Sequence, residues 1–384
     1  MGSIYQNSYI TVSATNSGNG SARCLVERRK PIKIPYENTT KKEFALRARK
    51  ILDHHPAADP NGGPARPVGP LTFRAWALQE HVLSTRVLHY TATELLFECK
   101  TTYRCECMPD RKAYPTTPSL IPKAVASKKL ESVWQAWERI VEQYSLRALT
   151  VPSDKLPAIS GIASKIRKAA HSEYLAGLWK GNLALDLLWH ASIPPASSGS
   201  AFALETWRAP SFSWASLDVA INYTLLDDEE RETFTPTVTL LASSITPTGL
   251  NPMGAVSSGS LTLRGPTTTA TLSSDQSPED CTYTLLIKGT STIRITQDCC
   301  LVEISFKNEE GGQGNTVRRA QPGEPLGQLR VSVLCLSVAR YDNVVAGLVL
   351  GVSEQNPKAW ERVGTFAVGT EAFQNAEEKE VILV

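Results

Sequence analysis

The sequence is short of long apolar runs. Its longest, VVAGLVLGV at 344–352, falls far below the roughly 20 residues that span a bilayer as a helix, so no membrane is expected. Charge of one sign is also scarce, with 40 Lys and Arg against 38 Asp and Glu and a formal net charge of +2. That balance excludes the strongly basic footprint of a nucleic-acid-binding domain. The opening MGSIYQNSYITVSAT lacks a basic stretch followed by a long apolar run, which excludes the pattern of a secretory signal. A cytoplasmic protein is expected. In a reducing compartment the eight Cys residues are expected as free thiols, and the sequons at Asn19, Asn38 and Asn222 carry no sugar.

Complete catalytic signatures are missing as well. The chain has no G-x-S-x-G elbow, no G-x-x-x-x-G-K-[ST] phosphate loop and no G-x-G-x-x-G opening a helix, so no cofactor is expected. No metal is expected either. Cys99, Cys105 and Cys107 are separated by gaps of five residues and one residue, unlike the C-x2-4-C pairs of structural zinc sites. Cys299 and Cys300 are adjacent, a poor chelating geometry. His54 and His55 lie in a Pro-rich loop and read as solvated.

What is present suits a globular chain. Hydrophobic residues make up 42% of 384, enough for two or three domains or one large one. SYITVSAT (8–15) alternates apolar and polar residues like a half-buried strand. The stretch at 53–70 is too rich in Pro and Gly for helix or strand. Leu130, Val133, Trp134, Trp137, Ile140, Val141 and Tyr144 form one stripe at helical spacing within 128–148. A second helix is expected from Ser153 or Asp154 as N-cap to Ile166, and a third over 182–190. Beyond about 205 the pattern becomes short β-branched segments between Gly, Pro or acidic loops, an antiparallel β region. The stretch 308–327 reads as a hairpin tip or insertion. Trp179, Trp207 and Trp214 read as an aromatic cluster with a packing role.

The stretch PLTFRAWALQEHVLSTRVLHY (70–90) crowds Arg74, Trp76, Gln79 and Glu80 onto a short amphipathic helix that runs into a strand. Ala75, Leu78 and Val82 face inward. An unpaired buried charge is costly, so Arg74, Gln79, Glu80 and Arg86 are expected to form one polar network. FRAWALQEHVLSTRVLHYTATELLFEC (73–99) resembles the third signature block of the fungal heterokaryon-incompatibility (HET) domain, close to R-G-W-T-x-Q-E-x-x-L-S-x-R-x-L before a strand and a Cys. Arg74, Trp76, Gln79, Glu80, Leu83, Ser84, Arg86 and Leu88 match, while Ala75 and Ala77 stand where the family has Gly and Thr. WERIVEQYSLRALTVPSDKLPAISGIA (137–163), EYLAGLWKGNLALDLLW (173–189), APSFSWASLD (209–218) and WERVGTF (360–366) resemble later family segments in the same order.

The resemblance implies an α+β chain in three regions. Residues 1–110 would be the C-terminal part of a TIR-like α/β HET domain, 111–200 a helical region and 201–384 a mainly antiparallel β domain. The two earlier signature blocks do not precede the match, so an N-terminally truncated domain is expected. The resemblance further implies fungal non-self recognition and programmed cell death through association with a protein partner. Two alternatives remain open at this point, a TIR-like NAD+ glycohydrolase with Glu80 as the catalytic carboxylate, and an inactive remnant.

Overall fold

The computed structural model describes residues 2–25, 32–37, 43–48, 69–106, 117–192, 201–223, 228–274, 281–307 and 313–384. The chain is a mixed α+β protein whose sheets are mostly antiparallel. It divides into two compact units, 1–149 and 150–384. The three regions that the resemblance implies, bounded at 110 and 200, do not coincide with these units, because resembling segments mark where element type changes and not where packing stops. Among the described residues no helix is long and apolar enough to cross a membrane. His54, His55 and Cys107 lie outside the described residues.

Unit 1 begins with α1 (Gly2–Asn7) and β1 (Thr11–Ser13), then a hairpin of β2 (Ile32–Glu37) and β3 (Glu43–Ala48). It continues through α2 (Ala75–Leu83), β4 (Arg86–Tyr90), β5 (Leu95–Cys99), β6 (Tyr103–Cys105), α3 (Leu120–Ala126) and α4 (Leu130–Ser145). One sheet runs in the order β1-β4-β5-β6. β1 lies parallel to β4 with Thr11 opposite Val87, and the other pairs are antiparallel.

The parallel pair requires a crossover, which α2 helps to supply. Ala75, Leu78, Val82 and Leu83 recur at helical spacing and are buried. The helix stops at Ser84, whose backbone is extended. Ser84 Oγ donates to the Glu80 carbonyl at 2.7 Å and meets Thr11 Oγ1 at 2.7 Å, so the helix end is tied to β1.

The expected stripe of α4 is its buried face, except at Leu130 in the first turn, which is 49% exposed. β1 departs from the half-buried reading. Thr11 and Ser13 turn partly inward, while Tyr9 (80% exposed) and Val12 (59%) face solvent.

Unit 2 opens with 3-10 turns at Pro152–Asp154 and Pro157–Ile159, and only then α5 (Ser160–Ala170). The helix expected from Ser153 therefore starts later, because Pro157 has no N–H to give and its surroundings wind as 3-10 turns. The stripe Leu156, Ile159, Ile162, Ala163 and Ile166 is buried all the same. β7 (Tyr174–Leu175) and β8 (Leu178–Trp179) form a hairpin whose two turn residues, Ala176 and Gly177, both have positive φ. This is the turn handedness that matches strand twist. The third expected helix shrinks to α6 (Leu183–Asp186), followed by β9 (His190–Ser192) and its partner β10 (Ala220–Asn222).

The remainder is α7 (Asp228–Thr233), β11 (Thr235–Pro236), β12 (Thr239–Pro247), β13 (Val256–Ser274), β14 (Tyr283–Ile287), β15 (Ile293–Arg294) and β16 (Thr296–Gln297). Then come β17 (Leu301–Lys307), β18 (Gln313–Arg319), β19 (Arg330–Tyr341), β20 (Val344–Val352), β21 (Trp360–Gly369) and β22 (Glu377–Leu383). The 19-residue β13 pairs with β12, β14, β19 and β22. Pairings β19–β20, β20–β21 and β21–β22 complete a closed ring with β13. Leu272, Val331, Val333, Cys335, Val349 and Phe366 belong to its apolar core.

Two readings of this region change. Of the hairpin tip or insertion expected at 308–327, residues 313–319 form β18, paired in register with β17, and 308–312 lie outside the described residues. Cys281 and Cys300 are joined in a disulfide with Cα atoms 5.0 Å apart, so the expectation of free thiols fails for this pair. Cys24, Cys99, Cys105, Cys299 and Cys335 are free.

Candidate functional site

The motif segment folds as α2, β4 and β5, and its alternation decides what faces inward. Along β4, Val87 and His89 are buried; along β5, Leu96 and Glu98 are buried. His81, in the last turn of α2, completes the group. Its Nε2 donates to Glu98 Oε2. His89 Nε2 lies 3.5 Å from the same oxygen, and the two imidazole rings stand nearly perpendicular, at 85° with centroids 5.0 Å apart.

Burial and charge act against each other here. Glu98 is fully buried, which raises a carboxyl pKa, but the His81 and His89 imidazoles outweigh burial and hold it well below the usual carboxylate range. Burial lowers the His81 pKa, opposed incompletely by Glu98. The group is therefore a carboxylate beside imidazoles. Thr15 Oγ1, itself 2.9 Å from Ser13 Oγ, hydrogen-bonds His89 Nδ1 at 3.2 Å and fixes the ring. One ligand atom from each of His81, His89 and Glu98 can be chosen so that all lie within 4.8 Å of one another. Two imidazoles and a carboxylate can share protons or bind a metal ion.

The residues expected from the sequence are placed apart from this group. Gln79 is buried, Trp76 partly so, and Arg74 is exposed. Glu80 accepts a hydrogen bond from the Tyr5 hydroxyl; burial raises its pKa, partly offset by Tyr5 and by Arg74. Arg86 lies over the Tyr9 ring, 4.9 Å from its centroid, and donates to the Tyr9 carbonyl at 3.2 Å. Glu80 and Arg86 thus turn to tyrosines from the first ten residues, not toward one another as expected. His81, His89 and Glu98 were not singled out by sequence reasoning. The signal was the phase of β4 and β5, which puts polar residues where the pleat points inward.

In unit 2 the later resembling segments meet. Trp189 Nε1 donates to the Phe212 carbonyl at 2.8 Å, and Trp214 Nε1 to the Gly177 carbonyl at 3.0 Å. A Cβ at Gly177 would sit 2.9 Å from that indole nitrogen. Lys155 reaches Asp218 at 3.2 Å, and Arg208 grips both oxygens of Asp218 at 2.8 and 3.2 Å. Arg362 donates to Asp298 and to the carbonyls of Leu187 and Trp189. The expected tryptophan cluster separates, with Trp179 and Trp214 fully buried while Trp207 is 48% exposed. Trp207 instead lines a cavity of about 920 Å³ with Asp154, Phe202, Arg208 and Asp218. Comparisons with protein-family models, with curated proteins and with solved structures find no match for this chain.

Proposed function

We propose that this chain is a cytoplasmic HET-type protein of fungal non-self recognition and programmed cell death, acting by association with a protein partner. The observation that carries the reading is the interlocking of segments on which the resemblance rests. Residues around 155, 177, 189, 212–218 and 362 are far apart in the chain, yet they share buried hydrogen bonds and ion pairs. Unit 1 would carry part of a TIR-like α/β fold, supported by the parallel β1–β4 pair with α2 in its crossover. Association is supported by the row Ile4, Tyr9, Ile10 and Val12, all exposed, beside a strand that pairs on one side only among the described residues. Such an edge is a template for a partner strand. Glu80 as the carboxylate of an NAD+ glycohydrolase gains no support, since Tyr5 takes up its side chain.

Inducible expression in a fungal host tests the reading. The chain is expected to arrest growth, and a Tyr9→Asp, Val12→Asp double variant at equal protein level is expected to relieve the arrest. Equal arrest by the variant would move association to another surface. Unimpaired growth with abundant wild-type protein would overturn the reading.

A further inference from the structure

We propose that His81, His89 and Glu98 form a binding site for a first-row divalent metal ion, zinc before ferrous iron. The three side chains come from a helix and two neighbouring strands, so rigid elements and not loops set their spacing. Two imidazoles and one carboxylate are a recurrent donor set for zinc and for ferrous iron. The 3.5 Å between His89 Nε2 and Glu98 Oε2 is close to the separation of two ligands on a tetrahedral ion with bonds of about 2.1 Å. Thr15 on His89 Nδ1 is the outer partner that a metal-binding histidine requires, since it turns Nε2 toward the carboxylate.

A second observation points to a ligand. Among the described residues, Glu98 Oε1 has no hydrogen-bond partner and His89 Nε2 has only the 3.5 Å approach to Glu98 Oε2, although Glu98 is 0% and His89 4% exposed. A buried polar atom without a partner is costly. A purely structural pairing of His81 with Glu98 leaves the buried His89 Nε2 facing the carboxylate from beyond ordinary hydrogen-bond length, whereas a cation between them engages Nε2 and the Glu98 carboxylate together. On binding, the ion takes Nε2 of each histidine and a Glu98 oxygen. As Nε2 binds the ion, the ring proton of His81 passes from Nε2 to Nδ1 through solvent, which reaches a side chain that is 14% exposed, so the imidazole stays neutral and no net proton is released.

The experiment uses the full chain, stripped with chelator and titrated with Zn2+, Co2+ and, without oxygen, Fe2+. One equivalent is expected to bind, with Zn2+ tighter than Fe2+. Glu98→Gln keeps the side-chain shape and is expected to weaken binding by about 100-fold or more, and Thr15→Val by about tenfold. Circular dichroism checks that each variant is folded. X-ray absorption of the wild-type zinc form is expected to show nitrogen and oxygen ligands alone, a readout that survives if the variants do not fold. Failure to bind, equal binding by folded Glu98→Gln, or a sulfur ligand in the absorption data would each overturn the proposal. None of these results depends on whether β1 recruits a partner.

Discussion

The guanidinium of Arg362 lies flat on the indole of Trp189, its central carbon 3.4 Å from the ring centroid, and donates to the Trp189 carbonyl. Both ends of the interaction come from one residue, so β21 is held against the residue that leads into β9 by a ring face and by a backbone oxygen at once. Asp298 supplies the counter-charge and also receives Arg319. Arg362 and Asp298 are both fully buried.

Asp298→Asn should therefore be severe, because it leaves two guanidinium groups facing a neutral amide. Breaking a buried pair costs about 3–5 kcal/mol. The expected result is a lower urea midpoint for unit 2 with an unchanged denaturant slope. A midpoint within experimental error of wild type would show that water reaches the cluster.

Lys155 gives a signed pH dependence. Burial lowers its pKa from 10.5 to about 8, with Asp218 opposing. The unfolded chain then holds more protons than the folded one between those values, so stability rises with pH across about 8–10.5, by up to about 1.4 kcal/mol per pH unit. Lys155→Met should flatten that rise relative to wild type. Asp218, whose pKa is lowered by Arg208 and Lys155 against the opposing effect of burial, acts on the acid side, where its contribution is lost as pH falls. Chemical denaturation at stepped pH compares the two proteins, and parallel curves would contradict the assignment.

The Cys281–Cys300 bond closes a loop of 19 residues, for which chain entropy predicts about 3 kcal/mol of stabilisation. The double variant Cys281→Ser, Cys300→Ser should melt lower by that amount. Peptide mapping without reductant should recover the 281–300 link with Cys299 alkylated after denaturation. Both bonded cysteines are nearly inaccessible, which would shield the link from small thiols in a reducing compartment. Rapid alkylation of both sulfurs in fresh lysate would mean that the bond does not form there.

How much of this was legible follows from how local each signal is. The stripe of α4 repeats over 16 residues and needs no partner to be recognised. β19 and β20 announce themselves by β-branched composition. β22 begins Glu377, Glu378, Lys379, Glu380, all exposed, and its strand character comes from pairing with β13 far away in the chain. β18 hid behind Gly and charge, though its Arg319 reaches Asp298. At the candidate site, the alternation of β4 and β5 was visible, but joining His81 to Glu98 required the hairpin register that sets Val87 opposite Glu98. The partners of Glu80 and Arg86, Tyr5 and Tyr9, lie more than 70 residues earlier, where no local spacing could reveal them.

The four-partner strand β13 also sets a timetable. Its residues 267–273 pair with 330–336, and its residues 261–267 with 377–383. A nascent chain emerging from the ribosome thus carries β13 as an unfinished surface until more than a hundred further residues have been made. Such distant pairings form slowly, and exposed strands invite wrong partners. Unit 2 should depend on chaperones during translation more than its finished core would suggest, and a stall before residue 377 should leave a chain that is sticky despite having nearly all of its sequence.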